Sequence, residues 1–280
     1  MLLAWLLFWV AGAAQAGAPA VWRSFQIPPP LPAAAVEGVG AHDGARIWYA
    51  AFGDGPPVVL LHAGGGDAGN VGFQAPALVA DGHRVVVIDS RSQGHSSWDR
   101  RPLAYARMEG DVLAVMDALA IPKADVVGWS DGAILGLIMA MKDPQRLGRL
   151  FAFGLNSDLE GLNDRWQDAP ILDQLYRWER MRYRAIAPEP NRFDDMAAAI
   201  DRLTSTQPNF TFTELAAIHG PAIAVVDGDH EEFIRPEHTR RIAAAIPGAR
   251  LIILPGVSHF APMQDPAGFN AAMLAFLDGR

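Results

Sequence analysis

The chain contains no cysteine. That absence removes disulfides, thiolate nucleophiles and thiolate metal sites together. It leaves the compartment open, because an exported protein can lack disulfides. Runs of lysine and arginine are also missing, and the formal net charge is −8. Both argue against nucleic acid as a partner, since phosphate binding needs clustered cations. The N-terminal apolar run, Met1 to Val10, is too short to span a bilayer comfortably. It has instead the length of a signal-peptide core and leads to Ala14-Gln15-Ala16, a small-residue cleavage pattern. No lysine or arginine precedes the run, so the terminal amine is its only positive charge. The expectation is export, periplasmic or secreted, with residues 1–16 removed and no stable membrane span afterwards. The alternatives are an uncleaved membrane anchor or a retained hydrophobic helix.

The composition is otherwise that of a globular protein, with 50% hydrophobic residues among 280, enough for a sizeable core. Residues 17–40, rich in alanine and proline, read as an extended lead-in. From about residue 41 to 280 short apolar runs alternate with helical patterns. Arg46 to Phe52, Pro57 to Leu61, Arg84 to Ile88, Asp125 to Val127, Leu150 to Phe153, Ala222 to Val226 and Leu251 to Leu254 read as strands. Ala75 to Ala80, Tyr105 to Leu119, Ala133 to Met141, Pro236 to Ile246 and Pro266 to Leu277 read as helices. Continuous apolar strands separated by helices predict an α/β fold, a mostly parallel twisted sheet covered on both faces. Residues 156–219 interrupt the alternation with aromatics, charges and no buried-strand run, and are expected to form a helical cap.

Four motifs carry chemistry. Gly128-Trp129-Ser130-Asp131-Gly132 is a G-x-S-x-G sequence between a strand and an apolar helix. That context makes Ser130 a candidate nucleophile on a tight turn, with Gly128 and Gly132 leaving room for close passage of the chain. The Asp131 N–H, at a helix start, can donate to an oxyanion. Leu61-His62-Ala63-Gly64-Gly65-Gly66 follows an early strand and can supply the second donor, Gly64 first and Gly65 second. No lysine follows as a phosphate loop would need, and a dinucleotide reading with Gly69 and Asp89 would leave the serine motif unexplained. Asp89 to Ser96 reads as a structural turn with Arg91 in polar contacts; a direct role for His95 is the lesser alternative. His259, in Gly256-Val257-Ser258-His259-Phe260 after the last strand, suits a general base near neutral pH. The acid lies in Asp227-Gly228-Asp229-His230-Glu231-Glu232. A carboxylate beyond the turn best faces the histidine loop, which favours Glu231, with Asp229 the alternative.

With these four motifs in this order, the chain resembles the α/β-hydrolase superfamily from about residue 40 to 278, in its serine-nucleophile branch. The resemblance implies chain order Ser, acid, His and an acid three residues after the strand-ending glycine, which is Glu231. Aspartate is usual there, and His-Gly is usual where this chain has His62-Ala63. Haloalkane dehalogenases and related epoxide hydrolases carry aspartate at the Ser130 position. The Gly-Trp-Ser-Asp-Gly elbow is similar to the biphenyl-hydrolase-like branch, which includes valacyclovir hydrolase. There the acid beside the nucleophile implies contact with a substrate ammonium; Asp131 otherwise stabilises a helix N-terminus.

The expected reaction is cleavage of a small-molecule ester or related acyl bond through an acyl-enzyme, with no metal and no organic cofactor. Trp129, with Trp166 and Trp178 of the insertion, could line an apolar acyl pocket; the alternative is that the cap aromatics form the cap's own core. A perhydrolase, an acyltransferase or a carbon–carbon bond hydrolase would use the same residues, and a noncatalytic binding protein is the remaining alternative.

Overall fold

The structure is a computed structural model that describes residues 20–280. The expected signal segment, residues 1–16, lies outside the described residues. In chain order the regular elements are β1 Val36–His42, β2 Ala45–Phe52, β3 Pro57–Leu61, α1 Gln74–Ala80, β4 Arg84–Ile88, α2 Tyr105–Ala118, β5 Ala124–Trp129, α3 Asp131–Lys142 and β6 Leu147–Phe153. Three helices follow, α4 Ile171–Ile186, α5 Phe193–Thr204 and α6 Phe212–Ala216. The chain then closes with β7 Ala222–Gly228, α7 Pro236–Ala245, β8 Arg250–Leu254, α8 Ala261–Gln264 and α9 Pro266–Leu277.

The eight strands form one sheet in the order β1-β2-β4-β3-β5-β6-β7-β8. All neighbours from β4 to β8 are parallel, while β1–β2 and β2–β4 are antiparallel. Side-chain alternation explains the uninterrupted apolar runs. Val59, Leu61, Val86, Ile88, Leu150 and Ala152 pack into one core with α2 and α3. Their neighbours Val58, Leu60, Val85, Val87, Phe151 and Phe153 pack into the other with α1 and α9. Strands β3, β4 and β6 are buried on both faces, so both sets must be apolar. A fully buried side chain of this size contributes about 1.5–3 kcal/mol relative to exposure.

One strand lies where an extended lead-in was expected. Val36–His42 pairs with Ala45–Phe52 through a two-residue turn, Asp43-Gly44, both at positive φ (42° and 81°). An Asp-Gly pair suits this tight hairpin, whose twist matches that of its strands. The residues before it are pinned to the domain. Phe25 is buried, Gln26 N donates to Met263 O at 3.1 Å, and Gln174 Nε2 donates to Phe25 O at 3.0 Å.

From β3 the chain first moves outward to β4, then returns to the other side as β5 and continues to β8. The crevice at the carboxyl ends of β3 and β5 is therefore the switch point where α/β sheets bind ligands. The loops carrying His62, Ser130, Glu231 and His259 all leave from that edge.

Candidate active site

Ser130 joins β5 to α3 at φ 54°, ψ −114°, a conformation that L-residues rarely adopt. Its neighbours hold it there. Ser130 N donates to Phe153 O at 2.8 Å, and Ser130 O accepts from Ala133 N at 2.8 Å and Ile134 N at 3.0 Å. A Cβ on Gly128 would meet Gly132 O at 2.3 Å, and one on Gly132 would meet Leu61 O at 2.4 Å. Both clashes are with backbone, so neither glycine can be replaced without moving the turn.

The second loop is shaped by a histidine. His62 Nδ1 donates to Ala63 O at 2.7 Å, and its Nε2 accepts from Ser90 N at 3.0 Å. Gly65 N donates to Gln93 Oε1 at 2.7 Å, which takes the second-choice oxyanion donor out of use. The Gly64 N–H has no hydrogen-bond partner among the described residues, and Gly64 lines the same cavity as Ser130. It and the first N–H of α3, that of Asp131, are the two donors available there.

His259 Nδ1 lies 2.9 Å from both carboxylate oxygens of Glu231. Glu231 Oε1 also accepts from Phe233 N at 2.7 Å and Ile234 N at 3.1 Å. Asp229, by contrast, is 42% exposed and accepts from Gly256 N. The geometry thus sets Glu231, not Asp229, against the imidazole. Glu232 braces the histidine loop, accepting from His259 N at 3.0 Å and Ser258 Oγ at 3.0 Å. Neither Ser130 Oγ nor His259 Nε2 has a hydrogen-bond partner among the described residues, and both residues line one cavity.

Burial dominates the electrostatics. It lowers the His259 pKa below the usual histidine value, against the pull of Glu232, Asp227 and Asp131. It pushes Glu231 up to about 7, with the Glu232 charge adding and hydrogen bonds from Asp227, Phe233 N and Ile234 N opposing. Behind Glu231, at the end of β7, Asp227 is pushed well above the carboxylate range by burial and then by the Glu231 charge. Asp227 is therefore the member of this pair that keeps the proton. Its Oδ2 accepts from Thr239 Oγ1 at 2.6 Å.

The cavity holds about 200 Å³ between the sheet edge and the helices of the insertion. Trp129 and Trp166 line it, as expected; Trp178 does not. Trp178 packs edge-on against Phe25 at 5.9 Å, in core that the lead-in completes. His95 also lies off the cavity, paired with Asp89 at 2.8 Å and stacked on Trp48 at 4.5 Å. Arg91 is fully buried in a paired contact with Asp111, at 2.8 and 2.6 Å.

Three polar residues on the cavity wall were not legible from motifs. Tyr105 donates through its hydroxyl to Asp131 Oδ1 at 2.7 Å, while Asp131 Oδ2 is buried without a partner. Asn70 Nδ2 is also buried and unpartnered. Glu179 reaches the wall from α4.

A sequence profile described as the Alpha/beta hydrolase family matches residues 58–272. Among curated proteins, the chain is 30% identical over 245 residues to a putative carbamate hydrolase RutD of Caulobacter sp., covering 79% of this chain and 90% of that protein. It is 26% identical over 284 residues to rhodomycin D methylesterase DauP of Streptomyces sp., covering 83% and 95%. Among solved structures, a hydrolase from Pseudomonas aeruginosa superimposes with a TM-score of 0.69 at 26% identity, covering 88% of this chain and 99% of that one.

Proposed function

Because the chain belongs to the alpha/beta hydrolase family, we propose that it is a serine hydrolase that cleaves a small-molecule ester, or a related acyl bond, through an acyl-enzyme. The carrying observation is the pairing of His259 Nδ1 with Glu231 at 2.9 Å, in the cavity that also receives the strained Ser130 turn.

Ser130 Oγ attacks the carbonyl carbon while His259 Nε2 takes its proton. The carbonyl oxygen, now an anion, accepts from the N–H groups of Gly64 and Asp131, each worth about 3 kcal/mol in such reactions. Glu231 receives the Nδ1 proton in a hydrogen bond and stabilises the imidazolium. His259 then protonates the leaving alcohol and the C–O bond breaks. Water enters, gives its proton to His259 and attacks the acyl carbon, and Ser130 leaves with that proton. Depression of the His259 pKa by burial keeps the free ring neutral and able to accept a proton at pH 7. Helices α4 and α5 form the cap of this reading and shape the acyl pocket with Leu172, Leu175, Phe193, Met196 and Ile200.

The relatives support hydrolysis of small molecules, since the names they carry are those of a carbamate hydrolase and a methylesterase. The test is hydrolysis of p-nitrophenyl esters by the full chain beside Ser130→Ala, with phosphonate labelling located by peptide mass. Turnover and labelling at Ser130, both lost in the variant, are expected. Turnover that survives in Ser130→Ala would overturn the serine mechanism.

A further inference from the structure

The acid that pairs with His259 has a second acid against it. Gly228 passes so close to the histidine loop that a Cβ there would lie 2.3 Å from Val257 O and 2.9 Å from Ser258 O. That approach brings the end of β7, and Asp227 with it, against the loop. Asp227 is 2% exposed, and the side chain of Glu231 is 1% exposed. Their carboxyls share a hydrogen bond. No lysine or arginine pairs with either one among the described residues. The other titratable groups facing the two are His259 and Glu232. Glu232 is engaged by His259 N and Ser258 Oγ. From α7, Thr239 faces Asp227, while His238 turns to Ser157, its Nε2 accepting from Ser157 N at 3.2 Å.

Two carboxyls in contact out of water do not both stay charged. A hydrogen bond between them also needs one proton, and the donors around each decide where it sits. Glu231 receives three N–H groups, from His259 Nδ1, Phe233 and Ile234. Each of them favours an anion. Asp227 accepts only from Thr239 Oγ1 at 2.6 Å and from the adjacent Gly228 N at 3.1 Å. The proton therefore belongs to Asp227, and Asp227 is the donor to Glu231. Side-chain length gives this bond its use. Glutamate has one more torsion than the aspartate usual at this position, so it needs one more anchor to keep a fixed aim.

We propose that Asp227 is a positioning residue: protonated, it donates to Glu231 and so keeps this acid ionised and aimed at His259 Nδ1. This inference rests on the serine-hydrolase reading. Asp227 does not line the cavity and acts through Glu231. Thr239 fixes the Asp227 head, so the chain of hydrogen bonds runs Thr239, Asp227, Glu231, His259.

The test is kcat/KM for a p-nitrophenyl ester from pH 5 to 9 with the full chain, each preparation corrected for the fraction of Ser130 that a phosphonate labels. Asp227→Asn keeps a donor for Glu231 and an acceptor for Thr239. It should stay within about threefold of the wild type and keep the same acid limb. Asp227→Ala deletes a hydrogen bond to a charged group. Its kcat should fall about tenfold and its acid limb should move up by about one pH unit. Thr239→Val leaves both carboxyls in place and should move the limb the same way by about half as much, which keeps the test open if Asp227→Ala does not fold. In a Glu231→Gln background, Asp227→Ala should cost less than about twofold more, because the group it acts through is already lost. A merely structural role would lower stability without moving the acid limb. Asp227→Asn as impaired as Asp227→Ala, an acid limb that neither Asp227→Ala nor Thr239→Val moves, or losses that add in the double variant would overturn this inference and leave the serine mechanism standing. A wild type with neither turnover nor labelling would overturn both.

Discussion

Ser130 stores strain that the proposed role as nucleophile would justify, and two variants without its hydroxyl can measure it. Its φ of 54° with ψ of −114° lies where L-residues are rare and glycine is comfortable. Such a residue costs on the order of 1–3 kcal/mol. Ser130→Ala keeps the cost because the Cβ remains. Ser130→Gly removes it, but gives back about 0.4–1 kcal/mol through the extra freedom of glycine in the unfolded chain. The remainder is about 1.5 kcal/mol in favour of glycine. For a domain of this size that corresponds to a Tm about 3–6 °C higher than that of Ser130→Ala. Neither variant has a nucleophile, so ligand turnover cannot confuse the comparison. Calorimetry or urea unfolding of the two side by side is the assay. A Tm for Ser130→Gly equal to or below that of Ser130→Ala would refute the argument that the turn is strained.

Activity should rise with pH. Glu231, pushed up to about 7, must be ionised, and His259, lowered by burial, must be neutral. Protonation of either side of the pair removes the base, so kcat/KM should fall about tenfold from its plateau by pH 6; a flat profile from pH 5 to 8 would contradict this. Glu231→Gln should lose about 10³–10⁴ in kcat, because an amide no longer stabilises the imidazolium. Gly64→Ala places a Cβ 2.4 Å from Asp131 Oδ2 and 2.9 Å from its Cγ. The loop must shift, and kcat should drop about a hundredfold as one oxyanion donor moves off target. Glu179 gives a stability prediction with a definite sign. A carboxyl whose folded pKa is raised binds its proton more tightly when folded, so its contribution is full at acid pH and is lost as pH rises. Glu179→Gln should therefore match the wild type near pH 4 and exceed it at pH 8, by about 1–3 kcal/mol in urea unfolding.

The central strands were legible because they are buried on both faces, which turns each into an apolar run; β3, β4 and the first five residues of β7 appear in the sequence almost to the residue. β1 was not. Val36–His42 reads VEGVGAH, with two glycines and an exposure pattern typical of an edge. Its only strong signal was the Asp43-Gly44 turn that follows. The elbow was legible because the clashes at Gly128 and Gly132 restrict what can stand there. Local spacing favoured Glu231 over Asp229, but only the fold brings residues 28 apart into contact at Nδ1. Trp178 follows the alternative reading of the cap aromatics as core, and what the sequence could not show is that Phe25, far away in the chain, covers it.

Glu179 was hidden for a more general reason. It stands in Arg177-Trp178-Glu179-Arg180, which reads as a charged, solvated helix face. Yet it lies four residues after Leu175 and four before Tyr183, on the stripe of α4 that begins at Ile171. A lone acid on an apolar stripe is the pattern worth noticing, since helical geometry carries it inward with its neighbours. The Arg182–Asp67 pair, three residues along, fixes the height of that stripe against the His62 to Asn70 loop. The pair thus ties the insertion to the loop that carries Gly64. Loss of that contact should blur which ester is preferred before it slows the chemistry itself.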